Sequence, residues 1–348
     1  MSQAKILVGM SGGVDSSVAA FLLKQQGYSV YGCTLTLHAE NESLCSKDIA
    51  DAKAVADLIG VPHFSADYTE TFKNSVIEYF SQTYLDGQTP NPCTFCNKNV
   101  KFPCMAEFAQ SIGCSLISTG HYARISQSGG RYLLHKGLDS SKDQSYMLYS
   151  LSQEILSKTV FPLGNLSKQE IREIALCASL PVASKKDSQD ICFIKGTDYQ
   201  TFIKGFKGQT APEGNFCDKD GNVIGTHKGI ISYTIGQRKG LGISSEQPYY
   251  VVSKNAQNNT VILGREKDLY TNRVFVKNVN FIPFDTLDST MRLYAKLRYS
   301  HKESSCSVTP YEDGVVLEFD EPQRAVTPGQ SAVLYDGDIV VGGGIIAK

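Results

Sequence analysis

Through the first half of the chain, short apolar runs alternate with longer stretches in which apolar residues return every three or four positions. The runs at 6–8, 29–37, 63–66 and 116–118 read as strands, and the stretches near 18–26, 47–59, 71–83 and 102–112 as amphipathic helices. Gly27, Gly60 and Gly113 stand just past three of those helices, where a residue tolerant of left-handed backbone ends a helix. Strands alternating with helices predict an α/β unit, a doubly wound parallel sheet with helices on both faces. After about residue 196 helical periodicity disappears, and glycine-punctuated strands are expected at 228–235, 249–253 and 260–263. From 270 onward six further runs, 273–279, 291–298, 305–310, 314–319, 331–335 and 338–347, predict a small antiparallel barrel. Three units are expected: an α/β unit at 1–196, a small β-rich unit at 197–268 and a C-terminal β-barrel at 269–348.

A chain of 348 residues is too long for one small core, which agrees with several units. Lysine and arginine (34) almost balance aspartate and glutamate (35), so any surface for nucleic acid must be a local patch. No apolar stretch approaches the roughly 18 residues of a membrane span, and the start is too short for a signal peptide, so a cytoplasmic protein without a membrane partner is expected. Ten cysteines in such a chain suggest reduced thiols, most of them packed as small apolar residues.

The first strand runs into Gly9, Met10, Ser11, Gly12, Gly13, Val14, Asp15 and Ser16, and a helical stretch follows. Glycines at such a turn let backbone amides approach a phosphate, and the positive end of the helix favours the anion. A Walker loop would need a Gly-Lys-[Ser/Thr] ending, which is missing. The grip therefore suits pyrophosphate, as in an enzyme that cuts ATP between its α- and β-phosphates, with Asp15 placed to recruit Mg²⁺. Because ligands of an open α/β sheet lie beyond the carboxyl ends of its strands, Leu35, Gly120 and His121 are expected near this loop.

Cys93 and Cys96 form a Cys-x-x-Cys in the segment TPNPCTFCNKNVKF. Zinc would need two more ligands at close spacing, and no second such pair exists. A redox or catalytic thiol fits better, and Lys98, Lys101 and the helix start are expected to lower the thiol pKa. Cys192 lies among charged and polar flanks in SKKDSQDICFIKG. The other cysteines, Cys33, Cys45, Cys104, Cys114, Cys177, Cys217 and Cys306, are assigned to packing or surface.

Taken together, GMSGGVDSS, TPNPCTFCNKNVKF, STGHYAR, KDQSYMLYSL, FPLGNLSKQEIR, SQDICFI, HKGIISYTIGQRKGLGI, LRYSH and PGQSAVLYDGD resemble the tRNA-specific 2-thiouridylases nearly end to end. The resemblance implies ATP-dependent replacement of the wobble-uridine C2 oxygen by sulfur, through adenylation of that oxygen and release of AMP and pyrophosphate. It implies Cys192 as persulfide carrier and Cys96 as its partner, freeing hydrosulfide or resolving the transfer as a disulfide. It implies ATP contacts at residues 9–16, Leu35 and Gly120, and a flipped base flanked by Asn91, Pro92 and Cys93. It further implies tRNA contacts at His121, Lys142, Asp143, Gln144, Arg298, Tyr299 and Gln330. Implied partners are tRNAs of the Lys, Glu and Gln acceptors and a cysteine desulfurase or sulfur-relay protein. ATP and Mg²⁺ are implied, with no tightly bound cofactor and no resident metal.

Many members of that family carry aspartate where this chain has Cys93, and some carry a tryptophan and an acidic cluster where it reads TLTLHAENESLC. The basic pairs Lys98/Lys101, Lys185/Lys186, Lys204/Lys207, Arg238/Lys239 and Arg298/Lys302 are candidates for a phosphate-tracking face. Two other readings use the same residues. An adenylating amide ligase would need the loop but not two thiols, and an RNA-binding module would carry structural thiols.

Overall fold

A computed structural model describes residues 3–38, 42–186, 191–194, 196–208 and 211–347, with the side chains of 42–45 left aside. The Ser188–Asp190 part of the SQDICFI string therefore lies outside the described residues. The α/β unit is built on a five-stranded parallel sheet in the order His63–Asp67, Ser29–Thr36, Lys5–Gly9, Leu116–Ser118, Thr159–Val160. Ile6, Leu7 and Val8 are all fully buried, as strands covered on both faces require. Ile6 and Val8 share a core with Val18, Ala19 and Leu23 of the helix Val14–Gln25, and Leu7 packs on the other face against Phe102 and Met105.

The chain passes from Lys5–Gly9 outward through two neighbours and then returns to Leu116–Ser118 on the opposite side. The strand order reverses between those two strands, and in open α/β sheets the ligand crevice lies beyond the carboxyl ends at such a point. The Gly9–Ser16 turn leaves one strand into that crevice and Thr119–His121 leaves the other.

The two β-rich units follow expectation in kind, with corrections in detail. A helix, Tyr199–Lys207, opens the central unit where helical periodicity was expected to be absent. The Asp198 carboxylate caps it by accepting the Gln200 and Thr201 amides, and Gly208 ends it at φ 66°. The expected strand at 228–235 is instead a loop with a short 3-10 turn, Ile230–Ser232, because Gly229 takes φ 109° and its Cβ would collide with the Ala211 carbonyl oxygen at 2.6 Å. Strands Tyr250–Asn255, Thr260–Gly264, Gly214–Cys217 and Val223–His227 form the central sheet.

The C-terminal strands all form, and Tyr270–Phe281 pairs with Ile339–Ile346 to close a six-stranded barrel. A hairpin from the first unit, Ala123–Ser128 and Arg131–Lys136, extends the barrel sheet through His135 and Leu134 beside Ile339 and Val340. That hairpin went unread because its outer face is polar and its strands are short. Further ties hold the barrel on the α/β unit. The Tyr146 hydroxyl donates to the Ser331 carbonyl at 2.8 Å, and the Thr89 amide donates to the Pro328 carbonyl at 2.9 Å.

Candidate active site

The Gly9–Ser16 turn is shaped before any ligand arrives. Gly12 has φ 67°, and a Cβ there would lie 2.5 Å from the Asp48 carbonyl oxygen. Ser16 donates its hydroxyl to the Gly13 carbonyl at 3.3 Å and accepts the Ser11 amide at 3.1 Å, so the turn folds back on the helix start. Gly120 closes the crevice from the facing strand. A Cβ at Gly120 would stand 2.7 Å from the Ser16 amide nitrogen and 2.8 Å from the Asp15 carbonyl carbon. Met10 is buried behind the turn, and Leu35 is half-buried at the end of its strand.

Two lysines flank the turn, which sequence reading missed as parts of this site. Lys168 donates to Asp15 Oδ1 at 2.7 Å, and the Tyr122 hydroxyl donates to the same oxygen at 2.8 Å. Lys185 donates to the Gly12 carbonyl at 2.9 Å and bridges Asp48 and Asp51 at 2.9 and 2.8 Å. Burial pulls the Lys185 ammonium down, but its two carboxylate partners outweigh that and hold it above its ordinary value. The signal for Lys168 was present in the sequence. It is the first residue of the helix Lys168–Cys177 behind an N-capping Ser167, and a cation at a helix start opposes the helix dipole unless an anion sits nearby. Both ammonium groups are engaged by carboxylates, so their part is to fix the turn and its neighbouring aspartates.

Asp15 fits the expected role toward Mg²⁺ in donor type, since such ions sit on one or two carboxylates and substrate phosphates. Among the described residues no group of three histidine, cysteine, aspartate or glutamate side chains forms a ready metal site.

Asn91 caps the helix Pro92–Cys96 by accepting the Thr94 amide at 3.3 Å, and Pro92 occupies its first turn. Asn97 donates to the Met147 carbonyl at 2.9 Å and pins the next turn. Cys93 is exposed, whereas Cys96 is 7% exposed. The expected lowering of the thiol pKa is not found. Burial raises the Cys96 thiol above its ordinary value, and Lys101 offsets only part of that. Crowding raises the Cys93 thiol too, again against Lys101, although part of its side chain reaches solvent. Desolvation of a thiolate outweighs a neighbouring cation here.

Cys192 is exposed. Its neighbours are not: Phe193 packs edge-on to Phe72 and Phe80 with ring centres 5.5 and 5.2 Å apart. The apolar cluster that holds Cys96 also takes in Ile191, Phe193 and Ile194. No disulfide joins Cys96 and Cys192. Of the cysteines assigned to packing or surface, Cys33, Cys104, Cys114, Cys217 and Cys306 are buried and Cys177 is exposed, while the Cys45 side chain lies outside the described residues.

The residues expected to touch tRNA all have internal work. His121 lies between Phe102 and Phe161, with ring centres 5.9 and 6.1 Å away, and bonds Thr119 Oγ1 through Nδ1 at 2.7 Å. Burial, aided by Lys101, pushes its pKa down to about 3, so the ring is neutral. Asp143 is buried and accepts the Gly137 and Ser145 amides. Gln144 accepts the Tyr122 amide, and Lys142 is half-buried beside it. Arg298 donates to the Ala325 carbonyl and Thr327 Oγ1, the 43%-exposed Tyr299 donates to the Asp143 carbonyl at 3.0 Å, and Gln330 donates to the Thr89 and Pro90 carbonyls at 3.1 Å. Tyr299 and Gln330 thus tie the barrel to the α/β unit, Gln330 just before the cysteine helix. Of the basic pairs, Lys185 is committed to its two aspartates and Lys207 to Glu78, whereas Arg238 lines an open cleft of about 450 Å³ with Leu241, Ser245 and Tyr249.

Comparison with known proteins matches three stretches of the chain to family models. A family model described as the tRNA methyl transferase HUP domain matches residues 4–196, one described as the tRNA methyl transferase PRC-barrel domain matches 200–265, and an aminomethyltransferase beta-barrel domain matches 271–346. The tRNA-specific 2-thiouridylase MnmA 1 of Caldanaerobacter subterraneus is 49% identical, covering 99% of this chain and 98% of that protein. The tRNA-specific 2-thiouridylase MnmA of Clostridioides difficile is also 49% identical over 99% and 98%. A glycine turn without a Walker lysine, a buried Cys96 whose apolar cluster also takes in the residues flanking Cys192, and 49% identity over nearly the full length of two relatives lead to one conclusion: the chain belongs to the tRNA-specific 2-thiouridylase family.

Proposed function

We infer that this protein is an ATP-dependent sulfurtransferase that converts the wobble uridine of tRNA to 2-thiouridine. A carbonyl oxygen at uracil C2 is a poor leaving group, and two chemistries must cooperate to replace it. First, that oxygen attacks the α-phosphorus of ATP and pyrophosphate departs, which leaves the oxygen as part of an AMP ester. The glycine turn and the Ser11 and Ser16 hydroxyls suit the pyrophosphate end of this exchange, with Lys168 and Lys185 holding the turn in place. Asp15 would hold Mg²⁺ together with phosphate oxygens, and the ion would supply charge neutralisation there.

Second, sulfur displaces AMP at C2. Cys192, exposed, receives sulfane sulfur as a persulfide from a cysteine desulfurase or relay protein. Either the terminal sulfur attacks C2 and Cys96 then cleaves the S–S bond, or Cys96 first frees hydrosulfide, which attacks C2. Both routes end with 2-thiouridine, AMP and a Cys96–Cys192 disulfide that an outside thiol must reduce. Asn91, Pro92 and Cys93 border the extruded base, whose unstacking costs a few kcal/mol. The acceptors are tRNAs for Lys, Glu and Gln, and the setting is the cytoplasm. Among the described residues no helix is long and apolar enough to cross a membrane.

One observation carries the sulfur half of this reading. The residues on both sides of Cys192 pack into the cluster that buries Cys96, so thiols almost a hundred positions apart in sequence share one wall. The test is a Cys192→Ser protein given ATP, tRNA and a persulfide donor. It is expected to form AMP but no 2-thiouridine, and full 2-thiouridine formation would remove Cys192 from the sulfur path.

A further inference from the structure

Cys93 has no task in a two-thiol scheme, yet it lies one helical turn before Cys96 with the opposite exposure. In helical backbone, positions three apart place their Cα atoms about 5 Å from one another, inside the roughly 4.4–6.8 Å that a disulfide spans. A Cys93–Cys96 bond therefore needs no unwinding of the helix Pro92–Cys96. Between the two, Phe95 stacks on Tyr79 with ring centres 4.0 Å apart and planes 6° from parallel, which fixes the turn that carries both thiols. Cys96 faces the apolar cluster, whereas Cys93, like Cys192, opens to solvent.

We propose that Cys93 is a resolving thiol: its thiolate attacks Sγ of Cys96 in the spent Cys96–Cys192 disulfide, the Cys93–Cys96 bond forms as the Cys96–Cys192 bond breaks, and the electron pair leaves on Sγ of Cys192. This rests on the Cys96–Cys192 reading above. The exchange is redox-neutral. The Cys93 proton goes to solvent, and the exposed Cys192 leaves as a solvated thiolate ready for the next sulfur. An external dithiol protein then reduces the surface disulfide, giving up two electrons and two protons and becoming a disulfide itself. The relay frees Cys192 for reloading while the oxidised bond is held within the helix Pro92–Cys96.

The test uses the full-length protein with ATP, tRNA and a cysteine desulfurase supplied with cysteine. After one turnover without reductant, acid quench, alkylation and peptide mapping are expected to find Cys93 bonded to Cys96 and Cys192 alkylated. Cys93→Ser is expected to accumulate the Cys96–Cys192 disulfide. Because Cys93 also borders the base pocket, this variant is judged by its own ratio of steady-state rate to first-turnover burst. With thioredoxin as reductant that ratio should fall at least tenfold below the wild-type ratio, and dithiothreitol should restore it. A wild-type map with Cys93 alkylated and Cys96 bonded only to Cys192, or an unchanged ratio in the variant, overturns the relay and leaves the transfer reading standing. Absence of 2-thiouridine in the wild-type first turnover overturns both.

Discussion

The nucleotide turn and the cysteine region occupy one unit but solve opposite problems. Residues 9–16 are already held: Gly12 and Gly120 allow backbone contacts that no side chain would permit, and Lys168, Tyr122 and Lys185 fix the turn and its aspartates. No disulfide joins the two thiols. Cys96 is buried on a capped helix, Cys192 is exposed on a separate segment, and only their apolar neighbours share a cluster. Stabilising developing charge favours rigid donors, whereas passing a sulfur atom between a donor protein and a buried base needs a carrier that reaches both.

The largest effect that sharpens this contrast separates the two half-reactions. Cys96→Ser or Cys192→Ser should lower 2-thiouridine formation by about a thousandfold or more, while tRNA-dependent pyrophosphate release persists. Parallel loss of both activities would show that the regions are not separable. Next, Gly120→Ala pushes a methyl group into the Asp15–Ser16 backbone. Because a small misplacement of reacting groups costs about a hundredfold in rate, AMP formation should fall by that order, with persulfide loading of Cys192 unchanged when the protein is probed by mass spectrometry.

The pH dependence should divide in the same way. Burial raises the Cys96 thiol, so its thiolate is scarce at neutral pH and grows as pH rises toward its pKa. Single-turnover sulfur transfer limited by that thiolate should climb about tenfold per pH unit in this range, with no such climb in pyrophosphate release. His121 adds a stability effect of defined sign. Its folded pKa, about 3, lies below the ordinary 6.5, so the unfolded chain takes up more protons in between. That contribution is complete above pH 6.5 and is lost as pH falls toward 3, and His121→Gln should flatten the acid limb of a denaturation series.

The smallest effect concerns the tie between barrel and cysteine helix. Gln330→Ala removes two hydrogen bonds to the Thr89 and Pro90 carbonyls. It should cost about 1 kcal/mol of stability, read as a modest fall in melting temperature. A drop in tRNA affinity with unchanged melting would assign Gln330 to the substrate rather than to the tie.

What was legible in the sequence follows from what each feature depends on. Four strands of the parallel sheet and the barrel strands rest on local periodicity and formed where expected, whereas the two-residue strand Thr159–Val160 is too short to show any. The helix Tyr199–Lys207 had its own local signals, an Asp198 cap and a following Gly208, which the surrounding β texture masked. The loop at 228–235 has β-branched and aromatic residues but is turned by Gly229, whose positive φ depends on contact with Ala211. At the site, the glycine turn and the thiols announced themselves through residue type and spacing. Lys168 and Lys185 reach the turn from more than 150 positions away, and the thiol pKa direction depended on a burial that charge counting could not supply.

The central claim is that activation of a carbonyl by ATP and delivery of sulfur from Cys192 are one coupled reaction. The most direct measurement loads Cys192 with radiolabelled sulfane sulfur, removes the donor, and then adds ATP and tRNA. The account predicts label at C2 of the wobble uridine in a one-to-one ratio with AMP, and none when ATP is omitted. Label that remains on the protein while AMP forms, or that reaches tRNA without AMP, contradicts it.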